Sequence, residues 1–327
     1  MLFQLLWVLV LLVSPTDQFG DDTQALVRQI ESVEDAELYV FKLKDNRGGG
    51  MDCLKVFQPG FDREPGVYYG VYHNFQQRIL VTHLARSTDL VNWTHLVELD
   101  SRASQPTIHA CDNGGYVLAY EHDEPNSVWI RLRYYASLSD LLVAKFQRQF
   151  DIPRSLAPTA EGTPSFESVQ IGEAGIESSE IRVRFHYYWN GDVDQLASGT
   201  LRNFESWNAE SATGLNSELR DQGWLGNLGD REKFTWGDES YYLQEVQRTK
   251  GDWGSWRIGL CDLHGRLIQV LSIRTPGGST AFSNPHASWI CDKDNQQKLV
   301  LTLFLHSKGN PREETGVLLY LLKTNTE

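Results

Sequence analysis

Two acidic residues in this chain open runs of strand-forming residues. A pair of carboxyl groups facing one pocket can release a proton from one member and take one up on the other. Asp52 sits in Gly50-Met51-Asp52-Cys53-Leu54, and Glu161 in Thr159-Ala160-Glu161-Gly162-Thr163-Pro164, with Glu167 further along the same run. Arg231, between Asp230 and Glu232, and His286, after Pro285, stand at the start of similar runs. Each also has a plain structural use. An aspartate after glycines shapes a turn, and a glutamate after a threonine is a loop charge or a cap. An arginine between two acids forms a surface ion pair, and a buried histidine is satisfied by its neighbours. What separates these readings is where the surrounding elements put the side chains.

Those elements repeat. Arg86-Ser87-Thr88-Asp89-Leu90-Val91-Asn92-Trp93 closes a strand-like run with a small residue, a polar turn and an aromatic, and looser echoes occupy 136–141, 199–207 and 259–263. A period of about 50 to 65 residues marks an array of small sheets, none of which can bury both faces alone. Short β-branched or aromatic runs at 67–71, 79–84, 116–120, 128–135, 181–189, 241–246, 256–260, 299–305 and 317–322 read as strands. Turn residues such as Asp112-Asn113-Gly114-Gly115 and Asn190-Gly191-Asp192 bound them. The pattern predicts an all-β, five-bladed β-propeller with inner strands beginning near Asp52, Pro106, Pro164, Arg231 and Pro285. A short amphipathic helix is expected over 21–35, with Leu26, Val27, Ile30 and Val33 on one face. A spare strand at 37–43 is placed to close the ring against 317–322, which removes exposed sheet edges. Residues 20–327 are read as one domain; a pair of β-sandwiches is the alternative.

The first 19 residues read as a secretory signal peptide, with an uncleaved anchor as the alternative: 2–13 is apolar except for Gln4, and too short to span a bilayer. The mature protein is therefore expected to be secreted, with no later membrane segment, and a monomer by default. The net charge of −13 argues against a nucleic-acid partner and against acidic polymers. Cys53, Cys111, Cys261 and Cys291 fit no zinc spacing, so one or two structural disulfides are expected, with buried thiols as the alternative. Asn92-Trp93-Thr94 is a glycosylation sequon if a eukaryote secretes the chain.

Taken together these motifs resemble the five-bladed propeller glycosidases, the arabinanase, xylosidase and invertase superfamily, and glycoside hydrolase family 43 most of all. The string Ser87-Thr88-Asp89-Leu90-Val91-Asn92-Trp93-Thr94 is similar to the end of that family's first blade, a structural feature. The resemblance implies that Asp52 is the general base and Glu161 the general acid, with Glu167 in reserve. It implies that Arg231 reaches substrate, and that His286, in Asn284-Pro285-His286-Ala287-Ser288, faces the axis beside a possible structural calcium. In blade two the family carries a third carboxylate; here Ser104-Gln105-Pro106-Thr107-Ile108-His109 places Thr107 at that point.

Hydrolysis of a glycosidic bond needs an acid to protonate the leaving oxygen and a carboxylate across the sugar, roughly 6.5 to 9.5 Å apart when configuration inverts. The resemblance thus implies an inverting hydrolase of a neutral oligo- or polysaccharide of arabinofuranoside, xyloside or fructoside type. With Thr107 in place of the third carboxylate, a catalytically silent propeller that binds carbohydrate or protein is the alternative. A related transferase or lyase would use Gln105, Thr107 and His109 as specific polar contacts. Trp224 or Trp253 could form a platform for a sugar face, although most tryptophans of blades three and four are expected to pack between sheets.

Overall fold

The computed structural model describes residues 21–60 and 64–323; the expected signal peptide lies outside them. The chain begins with α1 (Asp21–Glu31), a 3-10 turn at Val33–Asp35 and β1 (Leu38–Phe41). Leu26, Ile30 and Val33 are fully buried, as the helical spacing required. The expected 21–35 helix breaks at Ser32 because its last carbonyls are taken elsewhere. The Ile30 carbonyl accepts from the Tyr320 hydroxyl at 3.1 Å, and the Glu31 carbonyl from the Arg274 amide at 2.7 Å.

Among the described residues, five four-stranded antiparallel sheets follow. Blade one is β2 (Asp52–Phe57), β3 (Tyr68–Gln76), β4 (Ile79–Ser87) and β5 (Thr94–Ser101). Blade two is β6 (Ala103–Ala110), β7 (Tyr116–Glu124), β8 (Ser127–Tyr135) and β9 (Arg148–Asp151), with the one-turn α2 (Leu138–Leu142) between the last two. Blade three is β10 (Glu161–Gly172), β11 (Gly175–Trp189), β12 (Val193–Arg202) and β13 (Ser206–Ser211); α3 (Thr213–Asp221) leads out of it. Blade four is β14 (Leu228–Trp236), β15 (Glu239–Gln247), β16 (Trp256–Cys261) and β17 (Leu267–Val270). Blade five is β18 (Phe282–Cys291), β19 (Gln297–Leu305) and β20 (Gly316–Leu321), completed by β1, whose Leu38 pairs with Leu321 and Phe41 with Leu318. The inner strands β2, β6, β10, β14 and β18 touch one another in that order, and β18 returns to β2. All five expected inner-strand starts and the ring closure are found.

The repeated turn motif has a local cause. Ser87 Oγ accepts from the amide of Leu90 at 2.9 Å, and Asp89 Oδ1 accepts from Val91 and Asn92 at 2.9 and 2.7 Å. These side chains replace a ladder where β4 ends. They also drop Trp93, only 2% exposed, into the sheet with its Nε1 on the Leu90 carbonyl. In blade three the small residue of the motif makes room for the aromatic: a Cβ on Gly199 would lie 2.2 Å from Trp207 Cζ2. The cysteines correct one expectation. All four thiols are buried and none is in a disulfide. Each is enclosed in a different part of the ring, where the core of a chain this long suffices without a cross-link.

Candidate functional site

A cavity of about 430 Å³ opens at the end of the axis where the inner strands begin. Asp52 and Gln105, both expected from the sequence, line it. One wall is polar, with His73, Glu121, His186 and Asp194 from blades one to three. The opposite wall, from blades four and five, carries Trp253, Trp256, Phe304 and His306, with Glu245, Ser283 and Asn284 between.

One irregularity, repeated around the ring, builds this chamber. Every inner strand bulges near its start, so that three of its residues span two on the neighbour. The pairs flanking the bulge are Asp52/Lys55, Ser104/Thr107, Gly162/Ser165, Leu228/Arg231 and Ser283/His286. Inside four of the bulges a non-glycine residue takes positive φ: Cys53 at 54°, Gln105 at 51°, Thr163 at 46° and Asn284 at 46°. Side chains rarely adopt this region, and a conformation repeated there is held by its surroundings.

The hold is visible. A bulged amide loses its ladder partner, and a side chain from the preceding blade supplies one. His73 Nδ1 accepts from the Gln105 amide at 3.2 Å, Glu121 Oε1 from the Thr163 amide at 2.7 Å, and Glu245 Oε2 from the Asn284 amide at 2.6 Å. Glu121 also accepts from the Thr163 and Ser104 hydroxyls, at 2.8 and 3.0 Å. Two glycines permit the approach. A Cβ on Gly162 would stand 2.3 Å from Glu121 Oε1, and one on Gly229 2.0 Å from Glu245 Oε1. His186 Nε2 lies between two carboxylates, 4.0 Å from Glu121 and 3.9 Å from Asp194.

Burial pushes the Asp52 carboxyl up to about 6. Burial also drives His73 down to about 4, with His83 adding to the effect, and His306 down to about 4. The chamber therefore presents a carboxyl that retains its proton into mildly acidic solution, neutral imidazoles, and further carboxyl groups around the wall. That set can move protons and bond hydroxyl groups.

The other expected site residues lie elsewhere. Glu161 has no exposed surface and does not line the cavity; its Oε1 accepts from the amides of Ser155, Leu156 and Ala157 at 2.7, 2.5 and 3.0 Å. The expected general acid is thus set back from the cavity, where it ties down the segment entering blade three. Thr107 lies past the bulge of β6, opposite Ala119 and 4% exposed, and is not a cavity residue. Arg231 and Glu167 belong to the seam between blades three and four. Arg231 donates from Nε to Gln244 Oε1 at 2.6 Å and lies over the Tyr242 ring, its charge disfavoured by burial, which lowers it to about 10. Glu167 accepts from Arg184 at 3.0 Å.

His286 does not fit the calcium role. Its Nδ1 is 3.0 Å from Glu232 Oε2 and its Nε2 2.8 Å from the Val56 carbonyl, which uses both ring nitrogens. Lys55 Nζ, 3.5 Å from the same Glu232 oxygen, donates to the Pro285 carbonyl at 2.8 Å. Burial would raise the Glu232 carboxyl, but His286 and Lys55 together leave it below the ordinary range. Calcium takes six to eight oxygen ligands; this site already holds an ammonium in its place.

Four of the cavity residues that the sequence reading missed share one position. His73, Glu121, His186 and Glu245 all lie near the upper end of a second strand, opposite a bulge. A polar residue recurring there in otherwise apolar strands is the signal that could have found them. Of the two expected platform tryptophans, Trp253 lines the cavity, whereas Trp224 is buried beneath Arg248.

No protein-family model and no curated protein sequence matches the chain. Among solved structures it is similar to a glycoside hydrolase with a TM-score of 0.61 at 11% identity, covering 94% of this chain and 96% of that one. It is also similar to the α-L-arabinanase of Penicillium chrysogenum in complex with arabinobiose, with a TM-score of 0.50 at 11% identity, covering 88% and 98%. A family 117 glycoside hydrolase of Zobellia galactanivorans, Zg3597, gives a TM-score of 0.51 at 12% identity, covering 88% and 91%. At these identities the likeness establishes a common fold, the five-bladed propeller.

Proposed function

We propose that this protein is a secreted glycoside hydrolase that cleaves a neutral oligo- or polysaccharide by inversion, with Asp52 as acid and Glu245 as the second carboxylate. The observation that carries the reading is Asp52: a desolvated carboxyl, raised to about 6, at the head of an inner strand in the axial cavity. A carboxyl of that kind donates its proton to the leaving oxygen as the bond to the anomeric carbon breaks. This is the opposite of the base role implied by the resemblance. Glu245 stands on blade four, not adjacent to blade one, and the Asn284 amide fixes one of its oxygens. It takes the proton of the water that attacks the opposite face of the sugar, and configuration inverts. The carboxyl groups around the wall disfavour an acidic sugar. The apolar run at 2–13 supports secretion, and the structural neighbours that are glycoside hydrolases support the reaction class.

The test is turnover of aryl arabinofuranosides, xylosides and galactosides and of arabinan and fructan oligosaccharides, by wild type, Asp52→Asn and Glu245→Gln. Glutamine preserves the acceptor for the Asn284 amide, so a loss of turnover in that variant reports on proton transfer. Loss in both variants, with the anomer of the first product inverted, supports the reading; full activity in either sinks it. A second reading has one observation in its favour: Glu121 and Glu245 each spend an oxygen on a backbone amide, as structural groups would. Saccharide binding without turnover would select a carbohydrate-binding propeller.

A further inference from the structure

The two walls of the cavity differ in kind, and the apolar one is built around a single exposed ring. Trp253 is 56% exposed, yet it lines the cavity and stands on a stiff support. It belongs to a 3-10 turn, Trp253–Ser255, in the connection from β15 to β16. Asp252 caps the turn by accepting from the Gly254 amide at 3.1 Å and pairs with Lys308 of blade five at 2.7 Å. Gln247 donates to the Asp252 carbonyl at 3.2 Å, and Ser255 Oγ donates to the same carbonyl at 2.7 Å. Below, the indole packs against His306, ring centroids 5.1 Å apart. His306 in turn stacks on Trp256 at 6.3 Å and bonds Ser283 Oγ at 2.8 Å.

A large apolar ring left exposed on a loop braced from both sides needs a reason. Where it forms one side of a chamber whose other side is carboxyl and imidazole, a ligand with one apolar face and a hydroxyl edge supplies it. We propose that Trp253 is the platform of an outer saccharide subsite, stacking on the sugar next to the one held at Asp52. The substrate is then an oligosaccharide of at least two units that leaves the axis over blades four and five. This inference rests on the reading that the axial cavity holds saccharide.

The experiment compares wild type, Trp253→Ala and Trp253→Phe on a glycosyl fluoride of the accepted sugar, whose leaving group is too small to reach the ring, and on its oligosaccharides of two to five units. Binding of the same oligosaccharides to Asp52→Asn and to Asp52→Asn/Trp253→Ala is measured by calorimetry. The ring is exposed, so both single variants retain the fold, checked by circular dichroism. The expected result is a KM for oligosaccharides raised by about three- to tenfold in Trp253→Ala, an aromatic contact's worth. The Kd should rise in parallel, with kcat and turnover of the glycosyl fluoride unchanged and most of the loss restored in Trp253→Phe. Equal behaviour of Trp253→Ala and wild type on every substrate overturns the subsite while leaving the hydrolase standing. An equal loss on the glycosyl fluoride also overturns it, by placing Trp253 at the inner sugar. If no saccharide is turned over by wild type or bound by Asp52→Asn, the cavity reading fails and takes the subsite with it.

Discussion

Replacing Asp52 by asparagine should remove turnover and, at neutral pH, make the protein more stable. Burial lifts the Asp52 carboxyl to about 6, against about 3.9 for an aspartate in an unfolded chain. Between those values the folded state keeps a proton that the unfolded state has released. Stability present below about pH 4 is therefore lost as the pH rises through about 6. Roughly two pH units at about 1.4 kcal/mol each set the cost of the ionised group at up to about 3 kcal/mol above pH 7. Asparagine has the same shape and no charge, but its amide is also desolvated, so a gain of about 1 to 3 kcal/mol is expected. For a chain of this size that is a Tm higher by about 2 to 6 °C. Urea denaturation of both proteins at pH 4, 5, 6 and 7.5 reads the effect, with the difference vanishing at pH 4 and growing to a plateau above pH 6.5. A variant no more stable than wild type at pH 7.5, or a gain independent of pH, would refute the claim that Asp52 is a desolvated carboxyl held against its own ionisation.

Further outcomes follow from the groups around it. Gly162→Ala should drive Glu121 off the Thr163 amide, because the new Cβ meets Oε1, Cδ and Cγ of a side chain fixed at both oxygens; denaturation should show a loss of about 2 to 4 kcal/mol. Glu161→Ala should cost about 3 kcal/mol by releasing three amides, while Glu161→Gln, which keeps an acceptor, should leave kcat unchanged; a collapse of kcat in the glutamine variant would restore Glu161 to the mechanism. Lys55→Met should destabilise by about 3 to 5 kcal/mol, since the desolvated Glu232 carboxylate then loses the ammonium 3.5 Å away. Added calcium or a chelator should move Tm by less than about 1 °C, as expected of a chain with no calcium-stabilised state.

The fold was readable because propellers write their period into local chemistry. Turn residues such as Asp89 and the aromatic Trp93 must recur wherever a sheet ends, and the five inner-strand starts stand out as polar or proline-bearing breaks before apolar runs. The site was readable at Asp52, Gln105 and Trp253. The bulges explain the difference. An inner strand with one extra residue sends its later side chains to the seams between blades, so Thr107, Arg231 and His286 leave the axis although they follow the motif by only a residue or two. Nothing in the string Gly-Thr-Pro or Asn-Pro-His announces the positive φ that Thr163 and Asn284 take within it. Glu161 was lost for a related reason: it begins its strand on the outer side of the bulge, where three amides of the incoming segment surround it. The missed wall residues His73, Glu121, His186 and Glu245 come from second strands, and their register against the bulges is a fact of pairing that no short motif carries.

The bond between β1 and β20 has a consequence for how this molecule comes into being. Leu38 and Leu321 lie almost the full described length apart, so the seam cannot zip until the last strand has been made. Blades one to four can assemble as local hairpins in the order of synthesis, but β1 waits without a partner throughout. Closing so long a loop is entropically costly and slow, which makes it the late step of folding. Phe304 and His306 hang from the sheet that this step completes, so blade five's share of the chamber's apolar wall is fixed last. A ligand lying between Asp52 of the first blade and that wall straddles the seam, and its binding should slow the ring's opening more than any other unfolding event.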